Sequence, residues 1–392
     1  MNTMAIDEKR AVAHLMELLA IEGMSGEEGA VSEAIRRKLL AAGCRPGWIR
    51  HDAAHERIGR AGFAVGNLIV RIPGTVRGPR RMFLGHMDSV PLCRGAVPVR
   101  RGGRIVAKGK TAVRADNRTA VAAIVTMAEE VLRRRLPHPP LTLLFTIAEE
   151  IGLYGAKHVW IEDLGAPAVA FNFDAGDPNE IITGAIGATR WEAHVRGLSS
   201  HAGMHPEHGI SALLVAARAI ADVSARGFFG RIEQGRRTGT ANVGIIKGGE
   251  ATNQVTDYVY VKGECRSHDP AFLRTITKAY RDAFTRAARS VKNQRGKAAK
   301  VEFRCEADYA AFKLADRHPA VRFACATAQA LGLAPRTVSM NGGLDANPLN
   351  AMGIPTVTFG AGQHGAHSVE EYVDLNEYLA GCGLAVALAS RT

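Results

Sequence analysis

The stretch Leu141–Gly155, LTLLFTIAEEIGLYG, constrains this chain more than any other. Its first half is an unbroken apolar run, the pattern of a strand buried on both faces of a parallel sheet. The run ends on two adjacent acids, Glu149 and Glu150. A carboxylate at the end of a buried strand is costly, and two side by side cost more unless positive charge compensates them. A metal centre supplies such charge. Its remaining ligands then have to come from the ends of other strands.

The pattern along the chain offers those strands. Amphipathic helices are expected over 6–20 and 27–42. In the second, Val31, Ala34, Ile35, Leu39 and Ala42 share one face, and Gly43 is a stop. Strands are expected at 63–72, 82–88 and 168–174, with 104–113 extended and a helix over 119–135. Strands alternating with helices argue for an α/β fold, a mainly parallel sheet flanked by helices. In such sheets function gathers beyond the carboxyl ends of the strands. His86, Asp88, Glu149, Glu150 and Asp174 all fall at such ends.

The rhythm changes near residue 187. A strand (188–197), a helix (209–225), two strands (240–248 and 256–266), a helix (270–290) and a strand (300–306) follow in turn. That β-α-β-β-α-β order is ferredoxin-like. The expected organisation is a catalytic domain over 1–186 and 313–392, interrupted by an inserted α+β lid or dimerisation domain over 187–312. The basic piece RSVKNQRGKAAK reads as a loop of the lid. Helices at 319–331, 344–351 and 371–389 and a strand at 355–359 complete the first domain.

Composition removes other classes. With 392 residues, 46% hydrophobic and 22% charged, the chain can bury two cores and is not a disordered one. No apolar stretch reaches the length of a membrane span. The N-terminal segment lacks a basic region followed by an apolar block and a cleavage site, so a cytoplasmic location is expected. Six scattered cysteines with no C-x-x-C pair read as free buried thiols rather than disulfides or a thiolate zinc site. The formal charge of +12 is spread over short basic pairs without interleaved aromatics. It reads as solvated surface that can steer anionic substrates, not as a nucleic-acid footprint. Neither a nucleic acid nor a membrane is an expected partner.

The candidate ligands are His86, Asp116, Glu150, Asp174 and His367. Each alone has a plainer reading. Asp116 could cap the following helix, Asp174 could open a turn, and His367 could be a loop histidine. Together, in this order and at these strand ends, two imidazoles and three carboxylates suit two divalent ions. With a bridging hydroxide, the charges sum to neutrality, which a partly buried centre requires. Glu149, beside a ligand but not itself one, is then free to move a proton. Asp88, two residues beyond His86, can hold the ring's orientation.

The segments HMDS, RADNRTA, TIAEEIGLYGA, FNFDAG, GLSSHAG, GGEATNQVTDYVYVKGECRSHD and NGGLDANPLNAMGIPTVTFGAGQHGAHSVEEYV resemble the co-catalytic dizinc exopeptidases of the peptidase T, carboxypeptidase G and aminoacylase group. The last segment is most similar to peptidase T-like tripeptidases. The resemblance covers nearly the whole chain. It implies that His86, Asp116 and Asp174 bind one zinc, and that Asp116, Glu150 and His367 bind the other. Glu149 matches the general base and Asp88 the residue supporting His86. In the lid, His201 matches a histidine that stabilises the oxyanion, from the same chain or a dimer partner. Asn253 and Arg266 match residues that bind substrate oxygens, although Arg266 could equally make a lid salt bridge. His364 could touch substrate or serve the loop.

One departure stands out. The family pattern Gly-Ala-Asp-Asp-Lys is here Arg114-Ala115-Asp116-Asn117-Arg118. Arg114 is expected to narrow the site or pair with an acid, and the resemblance implies a cis peptide bond at Asp116–Asn117. The resulting expectation is a metal-dependent aminopeptidase or tripeptidase, homodimeric through its lid. An amidohydrolase or carboxypeptidase acting on N-acyl or N-carbamoyl amino acids is the alternative, and a catalytically silent metal- or peptide-binding protein the alternative of another class.

Overall fold

The structure is a computed structural model, which describes residues 6–59 and 62–391. The chain forms two compact units. One runs to Gly184 and resumes at Lys313; the other spans Ala185–Phe312.

The first unit is built on a mixed sheet in the order Ile49–His51, Leu68–Ile72, Leu141–Thr146, Arg81–His86, Val169–Phe173, Thr356–Phe359 and Glu180–Ala185. Its four central strands, from Leu141–Thr146 to Thr356–Phe359, run parallel. The flanking pairings are antiparallel. Successive side chains point to opposite faces, and both faces are covered. Phe83, Leu143, Phe145, Phe171 and Val357 enter one core; Met82, Leu84, Leu144 and Ala170 enter another with Leu349 and Ile354. This double burial is why the strands read as continuous apolar runs.

The helix Ala115–Arg133 lies in the larger core, and its alanines keep it slim enough to be buried all round. Gly85 lets the Arg81–His86 strand approach it. A Cβ at Gly85 would sit 2.7 Å from that of Ala120. The helix proper starts after Asn117, because Asp116 and Asn117 have non-helical backbone angles. The Asp116–Asn117 bond is cis. Two expected elements are shorter than their apolar patterns. Only Leu68–Ile72 of 63–72 is strand, and a short strand, Tyr372–Asp374, precedes the last helix, which Asp374 caps.

The second unit is an antiparallel sheet of five strands. Their order is Gly230–Gln234, Arg237–Gly248, Tyr258–Ser267, Gly187–Arg196 and Lys300–Tyr309. The helices Ala212–Ala225 and Pro270–Ser290 pack with it around Trp191, Phe272, Tyr280 and Phe284. Ser211 and Asp269 cap these helices with their side chains. This is the ferredoxin-like order with one added edge strand, Gly230–Gln234. Its composition, RIEQ before a Gly-Arg turn, gives little apolar alternation. The strand exists because its backbone pairs with Arg237–Ala241.

Among the described residues, no helix is long and apolar enough to cross a membrane. All six cysteines are free; Cys305 is exposed and Cys325 half-buried, whereas the other four are buried as expected.

Candidate metal centre and active site

The four central strands end side by side, and their carboxyl ends and the loops that follow carry the acids and imidazoles. His86 closes its strand, Glu149 and Glu150 follow Thr146, and Asp174 follows Phe173. His367 lies in the loop beyond Phe359. Asp116 comes from the junction preceding the buried helix. The ligand atoms of His86, Asp116 and Asp174 lie within 4.8 Å of one another, and so do those of Asp116, Glu150 and His367. The two groups share Asp116. Its Oδ1 is 3.0 Å from His86 Nε2, and its Oδ2 is 3.5 Å from His367 Nε2. His367 Nε2 also lies 2.8 Å from Glu150 Oε2.

Backbone strain is concentrated around these residues. Arg114, Ala148, Leu153 and His367 all have left-handed φ between 52° and 68°, without being glycine. Such conformations cost about 1–3 kcal/mol each and persist only where surrounding structure imposes them. Gly155 folds the chain back behind the acids. A Cβ there would come within 2.6 Å of the Ile147 backbone nitrogen.

A second layer holds the candidate ligands. His86 Nδ1 is 3.3 Å from Asp88 Oδ1, which leaves Nε2 facing the other acids. Asp88 also accepts hydrogen bonds from the backbone N–H groups of Glu149 and Glu150 and from the Ser25 hydroxyl. Gln363 donates to Asp174 Oδ1 and accepts from the Thr119 hydroxyl. Glu371 accepts from the N–H groups of Val113, Arg114 and Asp116, and so fixes the junction that carries the shared ligand. Asn117 donates to the Phe173 carbonyl at 2.9 Å. A carboxylate could not make that bond, which gives the amide at this position a structural role. Arg114 is fully buried and turns toward the end of the first helix. It donates to the Leu19 and Ala96 carbonyls and lies 3.5 Å from Glu22. Of the two expectations for Arg114, pairing with an acid is the one observed.

The electrostatics demand cations. Burial pushes the Glu149 carboxyl well above the usual carboxylate range. Burial, with the neighbouring Asp116 charge, pushes Asp174 up to about 8. Glu150 is raised by burial as well. Hydrogen bonds that His367 donates to Asp116 and Glu150 raise it to about 10. For Asp116, burial works upward, but the hydrogen bonds of His367 and His86 outweigh it and hold the carboxyl low. Each raised carboxyl marks a place where added positive charge is favoured. Glu150 Oε1 is buried and makes no hydrogen bond among the described residues. Two imidazoles and three carboxylates, one of them shared, with an unsatisfied oxygen on Glu150, fit two borderline divalent ions. Glu149 Oε2 lies 3.9 Å from His86 Nε2 and belongs to neither ligand group.

The other expected site residues are placed differently. His364 Nε2 pairs with the Glu377 carboxylate, and its ring stacks on Tyr372 with centroids 5.0 Å apart. This is a loop-fixing arrangement. In the lid unit, His201 Nδ1 accepts from the N–H groups of Gly203 and Met204. The neutral ring therefore carries its proton on Nε2 and can donate. Asn253 is exposed, and its backbone carbonyl accepts from Ala202 N–H. Arg266 makes two hydrogen bonds to the Glu264 carboxylate, at 2.9 and 3.1 Å.

Sequence reasoning missed Asp345 and Glu371. Asp345 is buried, accepts from the Thr146 hydroxyl, and is raised to about 6 by burial. Its position in GGLDAN, after two glycines, was the available signal.

Fold and site together define a metal-dependent hydrolase with a two-ion centre at the strand ends of an α/β sheet. Residues 82–391 match the model of peptidase family M20/M25/M40, and the chain belongs to that family. It is a metal-dependent peptidase. An aminopeptidase PepT from Bacillus cereus is 30% identical, with a TM-score of 0.84 and coverage of 98% of both chains. A tripeptidase from Staphylococcus aureus is 29% identical, with a TM-score of 0.87 over 99% of this chain and 100% of that one. An acetylornithine deacetylase from Myxococcus xanthus is 28% identical over 86% of this chain and 90% of the relative.

Proposed function

We propose that the protein is an aminopeptidase of the tripeptidase type, hydrolysing short peptides with Glu149 as the general base. The observation that carries this reading is the division of the acidic pair. Glu150 belongs to a ligand group with Asp116 and His367, whereas Glu149 belongs to none. Both peptidase T-type structures described above support the choice of substrate class.

His86, Asp116 and Asp174 would hold one divalent ion, and Asp116, Glu150 and His367 the other. Zinc is the ion this mixed donor set favours. When bound, such a pair polarises a carbonyl and lowers the pKa of water. Asp88 keeps His86 oriented, and Gln363 does the same for Asp174. Glu149 accepts the proton of the attacking water and returns it to the leaving amine nitrogen. Its raised affinity for protons in the buried cluster suits both transfers. The lid residues His201, Asn253 and Arg266 enter from the resemblance: His201 as an oxyanion donor through Nε2, the other two as contacts to substrate oxygens. His364 acts through Glu377 on the loop that carries His367.

The test is a substrate panel. Release of the first residue from tripeptides, with little action on N-acyl amino acids, is expected. Turnover confined to N-acetyl or N-carbamoyl amino acids would sink the tripeptidase reading in favour of a deacylase.

We also propose a homodimer through the lid. The Arg237–Gly248 strand outruns its edge neighbour, whose pairing stops at Ala241. The remaining edge carries Ile245 and Ile246, 41% and 54% exposed. An open edge with apolar side chains is a pairing surface. Light scattering of the wild type should give twice the chain mass of 41.9 kDa.

A further inference from the structure

The lid carries a second kind of metal-ligating group, built from residues that the active-site reading does not use. The turn His205-Pro206-Glu207-His208 places His205 Nδ1 3.4 Å from Glu207 Oε1, and His208 Nε2 3.6 Å from the same oxygen. All three ligand atoms lie within 4.8 Å of one another. A tetrahedral ion with ligand arms of about 2.0–2.2 Å sets its donors roughly 3.3–3.6 Å apart. Two of the three edges already have that length.

The backbone under these side chains is fixed. Pro206 opens a 3-10 turn over Pro206–His208. His205 N–H donates to the His201 carbonyl, and His208 N–H to the His205 carbonyl. From the other side, Gln294 N–H donates to the Glu207 carbonyl, and the Asn293 amide to that of His208. The imidazole rings stack with centroids 4.9 Å apart and planes 14° from parallel. The nitrogen lone pairs lie in the ring planes, so binding an ion requires the two rings to turn out of this stack.

We propose that His205 Nδ1, Glu207 Oε1 and His208 Nε2 form a third divalent-metal site, for a zinc-class ion, on the surface of the lid. Two imidazoles and one carboxylate make an open three-ligand set whose fourth position is left to water. The site shares no residue with the strand-end centre. A surface ion pair would be satisfied by one nitrogen facing Glu207; here one oxygen faces two. The site stands or falls apart from the peptidase reading, because its readout is ion content and not turnover.

The experiment titrates the purified, metal-loaded enzyme with zinc sulfate by calorimetry and counts bound zinc by mass spectrometry after desalting. The wild type should take up one equivalent more than His205→Ala/His208→Ala. Glu207→Gln should weaken that extra step at least tenfold. All variants should keep the wild-type melting temperature, since the three side chains are exposed. Equal zinc content in the wild type and the double variant would overturn the site, and so would a third equivalent that Glu207→Gln leaves untouched.

Discussion

The two units hold their polar groups in opposite ways. At the strand ends of the catalytic unit, His86, Asp88, Asp174 and Glu149 are almost wholly buried, and each faces another titratable group. In the lid, His201, Asn253, His205 and Glu207 are exposed and rest on turns braced by backbone hydrogen bonds. Water solvates the second set without help. The first set is tolerable only with added positive charge. Under the proposed function, the buried centre would hold cations and the exposed set would present donors to substrate.

The largest expected effect breaks or sustains that division. Glu149→Ala should lower kcat by about 10²–10⁴-fold while leaving the ion content of the strand-end centre unchanged, as read by metal analysis beside steady-state assays. Loss of ions together with activity would make Glu149 a ligand. His201→Ala, on the lid, should lower kcat by about 10²–10³-fold, again with ion content unchanged. A wild-type kcat in that variant would remove the lid histidine from the chemistry.

Glu371→Ala tests the layer behind the ligands. It leaves the N–H groups of Val113, Arg114 and Asp116 without their acceptor. Each buried donor so stranded costs about 1–3 kcal/mol, and loss of such a support typically weakens ion binding about 10–100-fold. A lower melting temperature and weaker zinc retention against a chelator are the expected results. Unchanged retention would mean that the strained junction positions Asp116 without Glu371.

What could be read from the sequence follows the same division. The candidate ligands were legible because double burial writes a strand as an apolar run, so that an acid or imidazole at its end stands out. Leu141–Thr146 before Glu149 and Val169–Phe173 before Asp174 are the clearest cases. Glu371 and Gln363 were not legible, since a polar residue in a loop looks the same whether it faces water or clamps a backbone. Arg114 was ambiguous for a related reason: its charge is visible in the sequence, but its direction is set by a left-handed φ of 68° that no residue type announces. In the lid, the edge strand Gly230–Gln234 escaped because backbone pairing alone, not apolar alternation, makes it a strand.

The smallest effect isolates what surroundings do to a buried imidazole. His86 and His138 are both only 2% exposed. For His86, burial works downward, but the Glu149 charge and hydrogen bonds to Asp116 and Asp88 outweigh it and raise the ring's proton affinity. Among the described residues no carboxylate pairs with His138; its Nδ1 meets the Pro139 carbonyl, and burial lowers its pKa. A histidine lowered in the folded state binds fewer protons than in the unfolded chain near and below pH 6.5. Its contribution to stability is thus present above that pH and lost as pH falls. The urea midpoint of the wild type relative to His138→Gln should drop between about pH 7.5 and 5.5; the raised carboxyls of Asp174 and Asp345, which work in the opposite direction, act on both proteins and cancel in the difference. A difference constant with pH would show that the buried ring titrates as it does in the unfolded chain, and that burial alone does not separate it from His86.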